Sequence, residues 1–223
     1  LAGCAANIPV KVIEPEQCRD HTERMLRLFG AKIESKNGTV SLTDAGLISP
    51  ASPIQIPADI SSALFFICLA LMSNRDVIFK NIGLNKSRIG CLEALKMMNA
   101  DINILEHENN YEPMGDIHVK PSNQRKNVTI PLALVPNLID ELPILAMLAL
   151  TQPGKFLVRG AAELRVKESD RIAGICRLVK ALGGQVIEYD DGFEVSGPIA
   201  NPAPFEFDAH FDHRLAMSAM IMS

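Results

Sequence analysis

The sequence lacks the cysteine pattern of a disulfide framework or a zinc ribbon. Cys4, Cys18, Cys68, Cys91 and Cys176 are odd in number, widely spaced and without a CxxC pair. That usage fits a reducing compartment, and a cytoplasmic location is expected. A basic excess is lacking as well: the formal net charge is -4, which argues against a nucleic-acid partner. The longest apolar run, Ala63 to Met72, falls far short of the roughly 20 residues a membrane-spanning helix needs, so no membrane partner is expected. At the amino end, Leu1-Ala2-Gly3-Cys4 offers neither an initiator Met nor a charged n-region leading into an apolar h-region. At the other end, Leu215 to Ser223 is an apolar helical pattern without a stop signal. Both ends are expected to lie inside a fold, as in a fragment of a longer chain.

What is present is a globular composition. The chain has 223 residues, 48% hydrophobic and 22% charged, enough for one large domain or one and a half ordinary ones with a real core. Ile8 to Glu14 alternates like a strand, and a helix follows through Met25, Leu26, Leu28 and Phe29. Gly30 stands where a helix turns into the left-handed conformation. Residues 31–35, a Lys36-Asn37-Gly38 turn and residues 39–42 read as a hairpin.

This unit recurs. Leu26-Arg27-Leu28-Phe29-Gly30-Ala31-Lys32-Ile33 matches Leu95-Lys96-Met97-Met98-Asn99-Ala100-Asp101-Ile102 and Val179-Lys180-Ala181-Leu182-Gly183-Gly184-Gln185-Val186. Each copy has a basic residue in the last helical turn, an apolar pair, a Gly or Asn cap and a strand, which reads as a long supersecondary repeat. Between the copies, helices are expected over 60–72, with Asp59 as N-cap, and over 138–150, with Asp140 and Glu141 early in the helix. Both are nearly apolar all round, so both should be interior. Strands at 77–80, 116–120, 127–130 and 155–159 complete repeated β-α-β-α-β-β units. The stretch Ser49-Pro50-Ala51-Ser52-Pro53 marks the domain boundary, with residues 1–57 ending one domain and 58–223 forming most of another.

The chemistry-bearing residues collect at helix starts. In Leu164-Arg165-Val166-Lys167-Glu168-Ser169-Asp170-Arg171, Lys167 and Arg171 would stack one turn apart at the start of a helix. Cations are disfavoured there by the helix dipole, whereas an anion is welcome. Taken alone, the run also fits a solvated face, because an exposed like-charge pair at this spacing costs only about 0.2–0.5 kcal/mol. Asp212-His213-Arg214 repeats the anomaly, with Asp212 as N-cap. In Arg19-Asp20-His21-Thr22-Glu23-Arg24, Asp20 as N-cap and Glu23 would form a capping box. Two cationic helix starts, beside Asp140 and Glu141 at a third, suggest helix amino termini converging on anionic groups.

Five segments, Arg19 to Met25, Asp59 to Ala63, Leu138 to Pro143, Leu164 to Arg171 and Asp212 to Met217, together resemble the 5-enolpyruvylshikimate-3-phosphate synthase family, in the family's order along nearly the whole chain. The resemblance implies an α/β, two-domain enolpyruvyl transferase fold, an inside-out α/β barrel of repeated β-α-β-α-β-β units with helix amino termini facing a central cleft. It implies transfer of the enolpyruvyl group of phosphoenolpyruvate to the 5-hydroxyl of shikimate 3-phosphate with release of phosphate. It implies a monomer without cofactor or metal.

Carried across by position, Asp140 matches the carboxylate that binds the target hydroxyl and acts as its base. Lys167 matches a lysine on the sugar substrate that relays protons, and Glu168 the carboxylate that exchanges protons with the methylene carbon. Arg171 and Arg214 match arginines that bind phosphoenolpyruvate, His213 a histidine beside them giving polar support, and Arg19 an arginine on shikimate 3-phosphate. No substrate role is carried to Glu163, which stands where some members have Asn. The types fit: addition of a hydroxyl to an enol carbon needs a base on one reactant and an acid on the other, and cations stabilise charge on a leaving phosphate. Missing from residues 1–223 are the family's Lys-Ser segment, its Gly-rich loop, its Ser-Gln pair and its carboxy-terminal active-site lysine, so this chain alone is expected to be inactive. A UDP-N-acetylglucosamine enolpyruvyl transferase is the nearest rival, but it relies on a loop Cys and lacks the Arg-Val-Lys-Glu-Ser-Asp-Arg run. A non-catalytic phosphate-binding domain is the rival from another class.

Overall fold

Gly30, Asn99 and Gly183 all adopt positive φ, at 91°, 63° and 78°. Each ends a helix and turns the chain into a strand. The computed structural model describes residues 1–14, 19–46, 53–107, 111–122, 127–199 and 204–223. Apart from Pro53, the expected domain boundary at 49–53 lies outside the described residues.

Three units share one plan. The first has helix α1 (Ala2–Ala6), strand β1 (Val10–Ile13), helix α2 (His21–Leu28) and hairpin strands β2 (Lys32–Lys36) and β3 (Thr39–Asp44). The second has α3 (Ile60–Met72), β4 (Val77–Gly83), α4 (Gly90–Met97), β5 (Asp101–His107) and β6 (Met114–Lys120). The third has β7 (Val128–Thr129), α5 (Leu142–Ala149), β8 (Gly154–Val158), α6 (Arg171–Ala181), β9 (Gln185–Tyr189) and β10 (Gly192–Gly197). The final helix is α7 (His213–Ile221). In every unit the last strand pairs antiparallel between the other two, in the orders β1-β3-β2, β4-β6-β5 and β8-β10-β9. The strand before the inner helix runs parallel to the next, as β7 beside β8 in the third unit and as the single bridge Ala58 to Ile82 in the second.

A large core joins the second and third units through α3, α4, α5 and α6, whereas Leu26, Ala31 and Leu42 form a small separate core under the first sheet. Helix α5 is buried throughout. Helix α3 departs from the all-interior expectation, because Phe66 and Leu69 remain exposed at 60% and 39%.

Two other expectations are corrected. The helix read over 138–150 is two 3-10 segments, Leu132–Asn137 and Ile139–Glu141, followed by α5. Pro143 cannot donate an N–H and is tolerated only in a first turn, so the regular helix begins beside it. Lys167 and Arg171 do not stack on one helix. Residues 162–166 form a 3-10 helix, Lys167 is extended, and Asp170 caps α6 by accepting from the Ala173 amide at 3.0 Å. An N-cap takes non-helical backbone angles, which separates the two cations.

Candidate active site

The 3-10 turn 139–141 carries Asp140 to a point where three arginines from three other elements meet it. Arg19, just before α2, donates Nη2 to Asp140 Oδ2 at 3.2 Å. Arg171, the first residue of α6, donates Nη1 to Asp140 Oδ1 at 3.3 Å. Arg214, in the first turn of α7, places Nη2 3.7 Å from Asp140 Oδ2 and donates Nη1 to the Asp140 carbonyl at 3.2 Å. Burial pushes the Asp140 carboxyl up, but Arg214, Arg19 and Lys167 outweigh it and hold the group below the ordinary carboxylate value.

Asp212 organises the opposite side. As N-cap of α7 its Oδ1 accepts from the Arg214 and Leu215 amides at 2.9 and 3.3 Å. Its Oδ2 accepts from Arg171 Nε at 2.8 Å and from Ser169 Oγ at 3.0 Å. Burial raises this carboxyl, and the hydrogen bond and charge of Arg171 reverse the effect, leaving it below its ordinary value. Close packing of α6 on α7 makes the pairing possible: a Cβ on Gly174 would lie 2.3 Å from Leu215 Cδ1. Arg171 is thus enclosed, its side chain 1% exposed between Asp140, Asp212 and Glu168.

Of the residues read from sequence, Asp140, Arg19, Arg171, Arg214 and Glu168 are linked by direct polar contacts. Lys167 pairs with Glu163 while its charge acts on Asp140. His213 is the first residue of α7 and exposed. The capping box at Asp20 does not form. Its carboxylate instead accepts from Arg24 at 2.8 Å and from Asn85 at 2.7 Å, and Asn85 also donates to Glu112, which pairs with His21. This polar seam ties the first unit to the second.

Sequence reasoning missed the ion-pairing role of Asp212, Ser169 beside it, and the buried Glu141 with its partner Ser61. The only signal for Asp212 was its cap position, which uses one oxygen and leaves the other free to pair. Sequence proximity did not point to Ser61, because Glu141 lies 80 residues away. A cavity of about 180 Å³ lined by His21, Asp59, Asn85, Arg88, Tyr111 and Glu112 is separate from the Asp140 cluster. Cys91 and Cys176 are buried, and burial pushes both thiols up, the latter to about 12, which disfavours the reactive thiolate.

The family model described as EPSP synthase (3-phosphoshikimate 1-carboxyvinyltransferase) matches residues 1–223. A 3-phosphoshikimate 1-carboxyvinyltransferase of Carboxydothermus hydrogenoformans is 45% identical over 224 residues, covering 100% of this chain and 52% of the relative. One of Petrotoga mobilis is 43% identical over 223 residues, covering 99% of this chain and 51% of the relative. The solved EPSP synthase of Acinetobacter baumannii superposes with a TM-score of 0.89 at 40% identity, over 96% of this chain and 50% of that one. The enolpyruvyl transferase NikO of Streptomyces tendae has a TM-score of 0.68 at 18% identity over 96% of this chain and 48% of that one, a likeness of fold. The chain spans about half the length of the curated relatives it matches.

Proposed function

The chain belongs to the EPSP synthase family, and from that premise we propose that the intact protein transfers the enolpyruvyl group of phosphoenolpyruvate to the 5-hydroxyl of shikimate 3-phosphate and releases phosphate. Its architecture is the α/β enolpyruvyl transferase fold, here three open sheets on repeated units. In this reading residues 1–57 close one domain and 58–223 make most of the other, in keeping with the two separate cores.

The observation that carries the reading is the ring of Arg19, Arg171 and Arg214 around Asp140. Asp140 accepts the 5-hydroxyl proton, Glu168 exchanges a proton with the methylene carbon, and Lys167 contacts the sugar substrate and relays protons. Arg171 and Arg214 bind phosphoenolpyruvate, Arg19 binds shikimate 3-phosphate, and His213 gives polar support. A carboxylate held below its ordinary value is a weak base. Once an anionic substrate shares the charges of Arg19 and Arg214, the more exposed of the three, their hold on Asp140 weakens and its basicity rises. Substrate binding thereby switches on the base. The hydroxyl oxygen then bonds to the enol carbon as the methylene gains a proton. Return of that proton to Glu168 and cleavage of the carbon–oxygen bond to phosphate, which leaves as hydrogen phosphate with the proton Asp140 had accepted, restore the double bond in the product and the Asp140 carboxylate. The protein works as a monomer in the cytoplasm.

Phosphate release by the intact protein tests the assignment. It is expected only when both substrates are present, with UDP-N-acetylglucosamine inert as acceptor. Saturable binding without phosphate release would mark a non-catalytic binding domain and end the reading.

A further inference from the structure

Glu141, one residue beyond Asp140, is 3% exposed, and no step of the proposed reaction uses its carboxylate. Ser61 Oγ, in the first turn of α3, donates to Glu141 Oε1 at 2.5 Å. Behind it, Arg88 Nη2 donates to Ser61 Oγ at 2.6 Å and to Asp59 Oδ1 at 2.8 Å. In front, Arg214 Nη1 lies 3.9 Å from Glu141 Oε1. Burial pushes this carboxyl up, against the Ser61 hydrogen bond and the Arg214 charge. Replacing a buried charge by a well-packed apolar side chain of similar size is often neutral or stabilising, so core packing by itself does not call for a carboxylate here.

Its placement does. Arg214 Nη1 is bonded to the Asp140 carbonyl and faces Glu141, while Nη2 faces the Asp140 carboxylate. The Asp140-Glu141 pair therefore meets the guanidinium on both terminal nitrogens, and the Ser61-Arg88 pair braces Glu141 from the second unit. We propose that Glu141, braced by Ser61 and Arg88, is a positioning residue that fixes the Arg214 guanidinium toward the anionic substrate. The proposal rests on the enolpyruvyl-transfer reading for the identity of that substrate.

The test uses the intact protein as wild type, Glu141→Gln and Ser61→Ala. Glu141→Gln keeps size and an acceptor for Ser61 but loses the charge facing Arg214. Its KM for phosphoenolpyruvate is expected to rise about tenfold or more, because a buried charge 3.9 Å from the guanidinium is lost. The kcat should stay within about threefold, with the KM for shikimate 3-phosphate and the Tm unchanged. Ser61→Ala should raise the same KM by a smaller factor. An unchanged KM overturns the proposal, as does a lowered KM, the mark of a carboxylate that merely offsets the Arg214 charge, or equal losses for both substrates with a fallen Tm. Should wild type bind phosphoenolpyruvate without turnover, the transfer reading fails, and calorimetric affinity for the same variants still decides the positioning role. A wild type that binds neither substrate overturns both.

Discussion

Asp140 turns both of its oxygens to arginines, whereas Asp212 divides its own between the Arg171 side chain and the backbone amides it caps, and the two arrangements have different consequences. Asp140 is partly exposed and is the base of the proposed reaction. Asp140→Asn in the intact protein should lower kcat by about 10²–10⁴-fold, the range of general-base catalysis, with smaller changes in KM, measurable in steady-state phosphate release. Asp212 is fully buried. Asn caps helices about as well as Asp, so Asp212→Asn isolates the lost ion pair with Arg171. Breaking a buried pair costs about 3 kcal/mol, to be read from urea denaturation. Because the folded Asp212 carboxyl lies below the ordinary value of 3.8, its stabilisation is present above that value and lost as pH falls through the folded one. Wild type should lose stability steeply between about pH 5 and pH 2, and Asp212→Asn less so. A variant with the wild-type acid profile would show that Asp212 is not the group responsible.

At the scale of elements, the repeated helix, left-handed cap and strand was legible because a positive φ is a local demand that only a few residue types meet cheaply. Gly183 sits at φ 78° with nothing within 4 Å of an added Cβ, so a substitution there reports backbone strain alone. Gly183→Ala should cost about 1 kcal/mol. Gly183→Asn should cost less, since Asn99 holds the equivalent place at φ 63° in the second unit; equal costs in urea denaturation would refute that equivalence. The caps at Asp59 and Asp212 were equally local and formed as read. The helix across 138–150 was misread because its apolar pattern is periodic regardless of backbone type, while Pro143 decides where regular hydrogen bonding starts. Asp20 was misread for another reason. Its carboxylate has competing partners on the second unit, and a distant Asn85 is invisible to a local motif.

Across the whole molecule the candidate site is close to electroneutral. Arg19, Lys167, Arg171 and Arg214 stand among Asp140, Glu141, Glu163, Glu168 and Asp212. A wall with that balance has no excess positive field for phosphorylated, carboxylated substrates. Residues 1–223 expressed alone should release no phosphate and bind phosphoenolpyruvate with a Kd weaker than about 1 mM; turnover by that polypeptide would contradict the proposed division of the site. Family membership, the unit repeat and the caps at Asp59 and Asp212 were determined by the sequence alone, because each is written in patterns of residue type along the chain, and the family resemblance is what singled out Asp140, Arg171 and Arg214. Only the tertiary structure decided that Arg171 is enclosed by three carboxylates, that Arg19 crosses from the first unit to Asp140, and that Ser61 and Arg88 reach Glu141. Those pairings join residues far apart in the chain, and which oxygen meets which guanidinium depends on how helices pack, as at Gly174 and Leu215, a distance that no local pattern encodes.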